Sequence, residues 1–94
     1  MTEILELNDQ EQIIALAKAL SSETRYKIVK LLLNDNEMDI SSIAKKMKQT
    51  EANTSAQIKY LEKAGVLDSR YEPGAHGVRK VCKTKVKKII LNIL

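Results

Sequence analysis

Short polar side chains recur along one predicted helix, and hydrogen bonding to a partner is the chemistry that they could do. The helix is predicted at about residues 51–64, because Thr54, Ile58 and Leu61 have the spacing of a buried face. Its outward and flanking positions hold Asn53, Ser55, Gln57 and Lys59. The amide of Asn or Gln can both donate to and accept from an adenine edge, and a Ser hydroxyl can do either. The predicted helix therefore offers side chains short enough to reach base edges in a DNA major groove.

Catalytic residue types form no organised set in this sequence. The chain has one His and one Cys, and it lacks a Gly-rich phosphate loop and carboxylate pairs at a purposeful spacing. We therefore expect neither an enzyme nor a cofactor. The single Cys82 rules out an intramolecular disulfide and a thiolate zinc site, and it indicates a reducing compartment. We interpret Cys82 as a small buried apolar residue rather than a redox switch.

Positive charge is concentrated away from the N-terminal quarter. The net charge is +4, but residues 1–24 hold one Lys against five acidic residues, so the remaining chain carries +8. A field of this sign attracts polyanions, of which DNA is the commonest, while RNA and membrane surface stay open. Because no run of about 18 apolar residues occurs and the first ten residues are acidic, we expect a cytoplasmic protein without a membrane segment.

Helical periodicity also recurs earlier in the chain. It predicts a first helix at about 9–20, a second that reaches about residue 34, and a third of two turns after about residue 41. Met38 and Ile40 suggest a short strand before the third helix. The predicted N-terminal caps, in chain order, are Asn8 with Glu11, Ser21 or Ser22, and Ser41 or Ser42.

A turn of three residues, 48–50, joins the third predicted helix to the one at 51–64. Thr50 is the predicted cap of that fourth helix, and Gly65 ends it at a position where positive φ costs little. Two helices joined by so short a turn predict a helix-turn-helix at about 41–64. The Thr50 hydroxyl, the free N–H groups that follow it and Lys59 are suited to phosphate contacts.

A hairpin is predicted after the fourth helix. Two segments with β-branched residues, 66–72 and 77–83, flank the turn-forming run Pro-Gly-Ala-His. The hairpin carries four candidate DNA contacts, Arg70, His76, Arg79 and Lys80. Such residues can lie along a DNA backbone or enter the narrow minor groove. An exposed turn residue is an equally good interpretation of the single His76.

The last segment is predicted to be an amphipathic helix at about 84–94. Its apolar residues recur at i, i+3, i+4, i+7 and i+8, namely Val86, Ile89, Ile90, Ile93 and Leu94. This stripe could close the core of its own chain or pair with a symmetry mate, and we favour the dimer. Lys85, Lys87 and Lys88 leave a helix on an anionic membrane as a minor alternative.

The order of these elements resembles the winged helix-turn-helix of ArsR-type bacterial and archaeal regulators. The resemblance covers roughly 16–83 and is most specific over 43–67, with further matches at 19–25 and 71–83. It implies that the fourth helix reads bases, although Ala56 stands where the family often has a basic residue. Many members sense metals, but 37–44 holds no Cys and 84–94 no His, Asp or Glu, so we expect no metal site.

Together these observations predict one α+β domain, mainly α, over 1–94: a winged helix-turn-helix at about 41–83 with an additional C-terminal dimerisation helix. The expected function is sequence-specific binding of double-stranded DNA by a homodimer that regulates transcription, as a repressor that blocks the polymerase. Two alternatives stay open. One is a winged helix that serves only protein interactions, and the other is a nucleic-acid-binding architectural module without sequence preference.

Overall fold

Four helices and five short strands make up the computed structural model, which describes residues 3–94. Their bounds, in chain order, are β1 Ile4–Leu7, α1 Gln10–Leu20, α2 Glu23–Asp35, β2 Glu37–Asp39, α3 Ile40–Met47, α4 Glu51–Lys63, β3 Asp68–Gly74, β4 Gly77–Lys83 and β5 Lys88–Leu91. The helix and hairpin predictions up to residue 83 are confirmed. The elements form a winged helix-turn-helix, with α3 and α4 as its helix pair and β2, β4 and β3 as its sheet.

Each helix begins at a residue whose side chain accepts a backbone N–H. Ser22 and Thr50 cap α2 and α4 as predicted, through bonds of 3.3 and 3.0 Å. Two predicted caps are wrong. Asp9 rather than Asn8 caps α1, and Asp39 rather than Ser41 or Ser42 caps α3. In both helices the cap is the residue whose backbone is still extended, and Asp39 reaches the Ser42 N–H at 2.8 Å directly from strand β2.

The turn between α3 and α4 rests on one left-handed residue. Lys48 has φ 56°, which reverses the chain immediately after α3. The Gln49 N–H then donates to the Ala44 carbonyl at 2.9 Å, so a carbonyl near the end of α3 has its hydrogen-bond donor within the turn. Gly65, with φ 81°, ends α4 in the way its sequence position predicts.

The wing is an antiparallel sheet in the order β2-β4-β3, with β4 in the middle. Gly74 pairs with Gly77, so the hairpin turn consists of Ala75 and His76 alone. Gly77 has φ 109°, a conformation that favours glycine. Cys82 lies on β4 and is fully buried, as predicted, and burial raises the pKa of its thiol.

The predicted C-terminal helix at about 84–94 is wrong. Residues Lys88–Leu91 form strand β5, which pairs in parallel with β1 in the register Leu5 to Ile89. Thr84 fixes the chain before this strand, because its hydroxyl donates to the Val66 carbonyl at 2.6 Å and accepts from the Val86 N–H at 3.1 Å. The β-branched isoleucines of the segment suit a strand once β1 is available as a partner.

The core lies between the four helices and the inner face of the wing. Its fully buried members include Leu16 on α1, Leu32 on α2, Ile43 on α3 and Ile58 on α4. Leu5 and Ile89 pack against this core from the β1–β5 pair, and Val86 is buried at 5% exposure. In residues 3–94 no helix is long and apolar enough to cross a membrane.

Candidate nucleic-acid interface

Helix α4 turns one side to the core and the opposite side to solvent. Thr54, Ile58 and Leu61 are buried as predicted. The predicted contacts Asn53 and Lys59 are exposed, whereas Ser55 and Gln57 are half-buried and flank the exposed face from its two sides. The N-terminal half of that face holds the small exposed residues Ala52 and Ala56, and its C-terminal half holds the exposed Lys59 and Lys63. Because these alanine side chains are small, the α4 backbone can approach a DNA groove closely at this point.

The two amides of α4 belong to one chain of hydrogen bonds. Gln57 donates through Nε2 to Oδ1 of Asn53 at 3.4 Å, and Asn53 donates through Nδ2 to Oε1 of Gln49. The Oε1 atom of Gln57 accepts from a guanidinium N–H of Arg25 at 2.8 Å. Arg25 was not among the predicted site residues, and it lies on α2, 32 residues from Gln57. The match of residues 19–25 to the ArsR-type pattern was the one feature of the sequence that pointed to Arg25.

The start of α4 lies beside the start of α3. Thr50 is the helix cap, so its hydroxyl already accepts the Asn53 N–H, and only its O–H is left to donate to a phosphate. Glu51 accepts a hydrogen bond from Ser41 of α3. This carboxylate stabilises the helix end but adds negative charge where a phosphate would approach.

The wing cations are held by carboxylates. Arg70 donates to both Glu37 oxygens at 2.9 and 2.7 Å, and to Glu72 at 3.2 Å. Arg79 donates to Asp39 at 3.1 Å and through Nε to Glu72 at 3.0 Å. Two guanidinium groups thus share three carboxylates across the sheet, and we call these five residues the wing network. The formal charges of the wing network sum to −1, although its two predicted DNA contacts, Arg70 and Arg79, are cations.

The wing network shifts the proton affinity of its acids. The Arg79 hydrogen bond lowers the pKa of Glu72, and the Arg70 hydrogen bond lowers the pKa of Glu37. Hydrogen bonds from Ser42, followed by Arg79, lower the pKa of Asp39. All three acids are therefore ionised at neutral pH, and their pairing with the arginines persists there.

Lys80, another predicted contact, is the least available wing cation. Its ammonium group lies 2.8 Å from Glu62 of α4, and its side chain is only 13% exposed. It also lies 5.9 Å from the ring centroid of Tyr71. This pair joins the wing to α4, so we assign Lys80 a structural contact in the free protein. His76, by contrast, is exposed at the hairpin turn as expected.

A groove separates the wing tip from the starts of α3 and α4. It has a volume of about 670 Å³, and its lining includes His76, Arg79, Asp39, Ser41 and Glu51. Lys45 and Lys46 of α3 and Lys48 directly after it are exposed, but they are not part of the lining of this groove. A nucleic-acid backbone that entered this groove would meet the Arg79 guanidinium on the wing side, together with the two acids.

Residues predicted to dimerise lie on the β1–β5 pair and beyond it, not on a helix. Val86 is buried in its own chain, Ile89 and Ile90 are half-buried, and Ile93 is 88% exposed. Leu94 is also exposed, and Ile4 of β1 and Leu91 of β5 are 51% and 40% exposed. The apolar surface predicted for this end of the chain is therefore present, with a different backbone conformation.

In residues 3–94, groups of His, Cys, Asp and Glu that could hold a metal ion do not occur. The expectation that the chain has no metal site stays a prediction.

These features define a class: a winged helix-turn-helix DNA-binding domain. Residues 22–69 match the family described as bacterial regulatory protein, arsR family, and the match spans just over half of the chain. The chain therefore belongs to the arsR family of transcriptional regulators.

Solved structures agree with this assignment. A possible transcriptional regulatory protein (fragment 1–100) from Mycobacterium bovis is 25% identical, with a TM-score of 0.70, over 80% of this chain and 75% of its own. A solution structure of a homodimeric winged helix-turn-helix DNA-binding domain (fragment 1–100) from Mycobacterium bovis, a possible ArsR-family regulator, has the same identity and TM-score over 80% and 65%. HlyU from Vibrio cholerae shares the fold at 22% identity and a TM-score of 0.67, over 82% and 78%.

Proposed function

We propose that this chain is a homodimeric, sequence-specific repressor that binds double-stranded DNA in the cytoplasm and blocks access of the polymerase. The family membership supports regulation of transcription through DNA. The observation that carries sequence specificity is the pair of amides on α4, Asn53 and Gln57, which are connected by hydrogen bonds and lie beside the small exposed residues Ala52 and Ala56. Short polar groups on a helix with small neighbours fit a major groove about 12 Å wide.

Selection of bound fragments from random duplex DNA with the purified protein tests this function. A dimer with one recognition helix in each of two successive major grooves should enrich a palindrome whose half-sites are about 34 Å apart, or about 10 base pairs. Recovery of unenriched DNA would contradict sequence specificity. A repressor should also reduce transcription from a promoter that carries the enriched site, and unchanged transcription would contradict repression.

The dimer surface that we propose is the β1–β5 pair with the apolar residues after it. In the described chain each of the two strands is paired on one side only, which leaves an edge that a second copy can extend. Ile89, Ile90, Ile93 and Leu94 keep the role predicted for them, whereas Val86 supports the surface from inside its own chain. The homodimer among the similar structures supports the assembly state.

Light scattering of two variants tests this surface. Ile90→Asp should give a monomer, because the charge lies on the proposed interface. Ile14→Asp places the same charge on an exposed apolar residue of α1, 45% exposed, and should leave the dimer intact. A monomer from Ile14→Asp together with a dimer from Ile90→Asp would place the interface on α1 instead.

A second candidate function is binding of nucleic acid without sequence preference. The observation that favours it is the lack of a charged side chain on the N-terminal half of the exposed α4 face, where Ala52 and Ala56 lie. Competition with unrelated duplex separates the two functions, because only a specific binder stays on its selected site. A protein-interaction module would show a third result, namely retention by a partner that hardly responds to salt.

A further inference from the structure

Arg25 is fixed on three sides before any ligand is present. Its Nε donates to the Ala19 carbonyl at 2.7 Å, and one terminal nitrogen donates to the Lys18 carbonyl at 3.0 Å. Both acceptors are carbonyls at the end of α1, which a cation stabilises. The guanidinium also lies 4.1 Å from the ring centroid of Tyr60 on α4. The second terminal nitrogen is therefore aimed at α4 by contacts that do not involve DNA.

That nitrogen determines which way the Gln57 amide faces. A guanidinium has donors and no acceptor, so only the carbonyl oxygen of Gln57 can meet it, and Oε1 does so at 2.8 Å. The NH₂ group must then point away from Arg25, and one of its hydrogens goes to Asn53 at 3.4 Å. Asn53 in turn presents its oxygen to Gln57 and its NH₂ group to Gln49. The hydrogens left over on both amides are donors.

We propose that Arg25 is a positioning residue that determines which base Gln57 reads, an inference that rests on the proposed function. Contact with an adenine edge uses both the oxygen and the nitrogen of an amide. With one lone pair of its oxygen engaged by Arg25 and its NH₂ group turned away from Arg25, Gln57 presents a donor and favours a base edge made of acceptors. Guanine, with O6 and N7, and thymine, with O4, present such edges in the major groove. This assignment replaces the adenine contact that the sequence alone indicates.

Lysine could not take the place of Arg25 in this arrangement. The planar guanidinium meets the Ala19 and Lys18 carbonyls, the Gln57 oxygen and the Tyr60 ring at once. A Lys ammonium is a compact charge on a flexible stem and cannot hold such a fork. Arg25→Lys should therefore keep the charge but release the amide.

Selection from random duplex with four proteins tests the proposal. The position that Gln57 reads is the one whose preference is lost in Gln57→Ala. At that position the unaltered protein should select guanine or thymine. Arg25→Lys should lower the preference against adenine roughly three- to tenfold, the worth of about one hydrogen bond. Lys27→Met, a change on the same helix at an exposed residue paired with Glu23, should leave the selected base unchanged.

Because Arg25 also holds the end of α1, a change there could unfold the chain, so a further variant keeps Arg25. In Gln57→Glu the inner oxygen still accepts from Arg25, but the outer atom becomes an acceptor. The selected base should then change to one that presents a donor, cytosine or adenine.

Three results would overturn the inference. One is selection of adenine at the Gln57 position by the unaltered protein. Another is an Arg25→Lys protein, folded by circular dichroism, with weaker binding to all sequences and an unchanged base preference, because a merely structural role predicts that. The third is an unchanged base in Gln57→Glu. An unaltered protein that enriches no sequence would overturn the proposed function as well, which separates the two failures.

Discussion

Helix α4 and the wing face the same groove, yet the partners that hold their polar side chains in the free protein differ in kind. The α4 amides are neutral, and Arg25 orients them from behind through Gln57. The wing arginines are charged, and Glu37, Asp39 and Glu72 already occupy their donors. An oriented donor needs no rearrangement to read a base, whereas a paired arginine must exchange a carboxylate for a phosphate. Specificity should therefore depend on α4, and the response to salt and pH on the wing.

The largest effect is expected on α4. Gln57→Ala should weaken binding to the selected site by about 1–3 kcal/mol and leave binding to unrelated duplex almost unchanged. Fluorescence anisotropy with both duplexes measures this difference. Equal losses on the two duplexes would mean that Gln57 does not read sequence, and the contrast between α4 and the wing would not hold.

A smaller and uniform effect is expected from the wing. Arg79→Ala should weaken binding to every duplex roughly fivefold, because a charged hydrogen bond to phosphate is lost. The loss is small because Arg79 must first give up its bonds to Asp39 and Glu72 before it can contact DNA. The slope of log K against log salt should become shallower by about one. A loss confined to the selected site would assign base reading to Arg79.

The opposite sign is expected when an acid of the wing network is neutralised. Glu72→Gln leaves Arg70 and Arg79 with two carboxylates instead of three, so affinity for any duplex should rise roughly two- to threefold at low salt. Glu23→Gln is the matched control, since that carboxylate pairs with Lys27 on α2, outside the wing. No gain from Glu72→Gln would show that pairing within the wing does not compete with DNA.

The smallest effect is expected on stability against pH. The pKa values of Glu72, Glu37 and Asp39 are lowered by folding, so their contribution to stability is complete above the ordinary carboxyl pKa of about 4. It should be lost as pH falls through the lowered values, and the unfolding midpoint in urea should fall with it. In Glu72→Gln that decline should be shallower. Identical pH profiles for the two proteins would contradict this account of the wing network.

Local sequence patterns were sufficient to predict the helices and the hairpin up to residue 83. Thr50 and Gly65 mark the ends of α4 through capping chemistry, and the Gly-containing turn marks the hairpin. The segment 84–94 was predicted wrongly, because the spacing of Ile89, Ile90 and Ile93 fits a helix as well as a strand. The deciding factor was its partner β1, more than 80 residues away, which no local pattern reports.

The candidate site was predictable to a similar extent. Exposure of Asn53 and Lys59 follows from the helical period, and both are confirmed as exposed. The half-burial of Gln57 depends on α2, and the pairing of the wing cations depends on the register of three strands. The Arg25–Gln57 and Arg79–Asp39 contacts join residues 32 and 40 positions apart. Sequence patterns could therefore identify the functional side chains but not the residues with which they form hydrogen bonds.

A ratio of two affinities decides whether α4 binds DNA with sequence specificity. The dissociation constant should be measured for the selected palindrome and for a scrambled duplex of equal length, at physiological salt. The palindrome should be preferred about 1,000-fold or more, as for other specific regulators. Equal affinities for the two duplexes would contradict it and would leave a winged helix that binds DNA by charge alone.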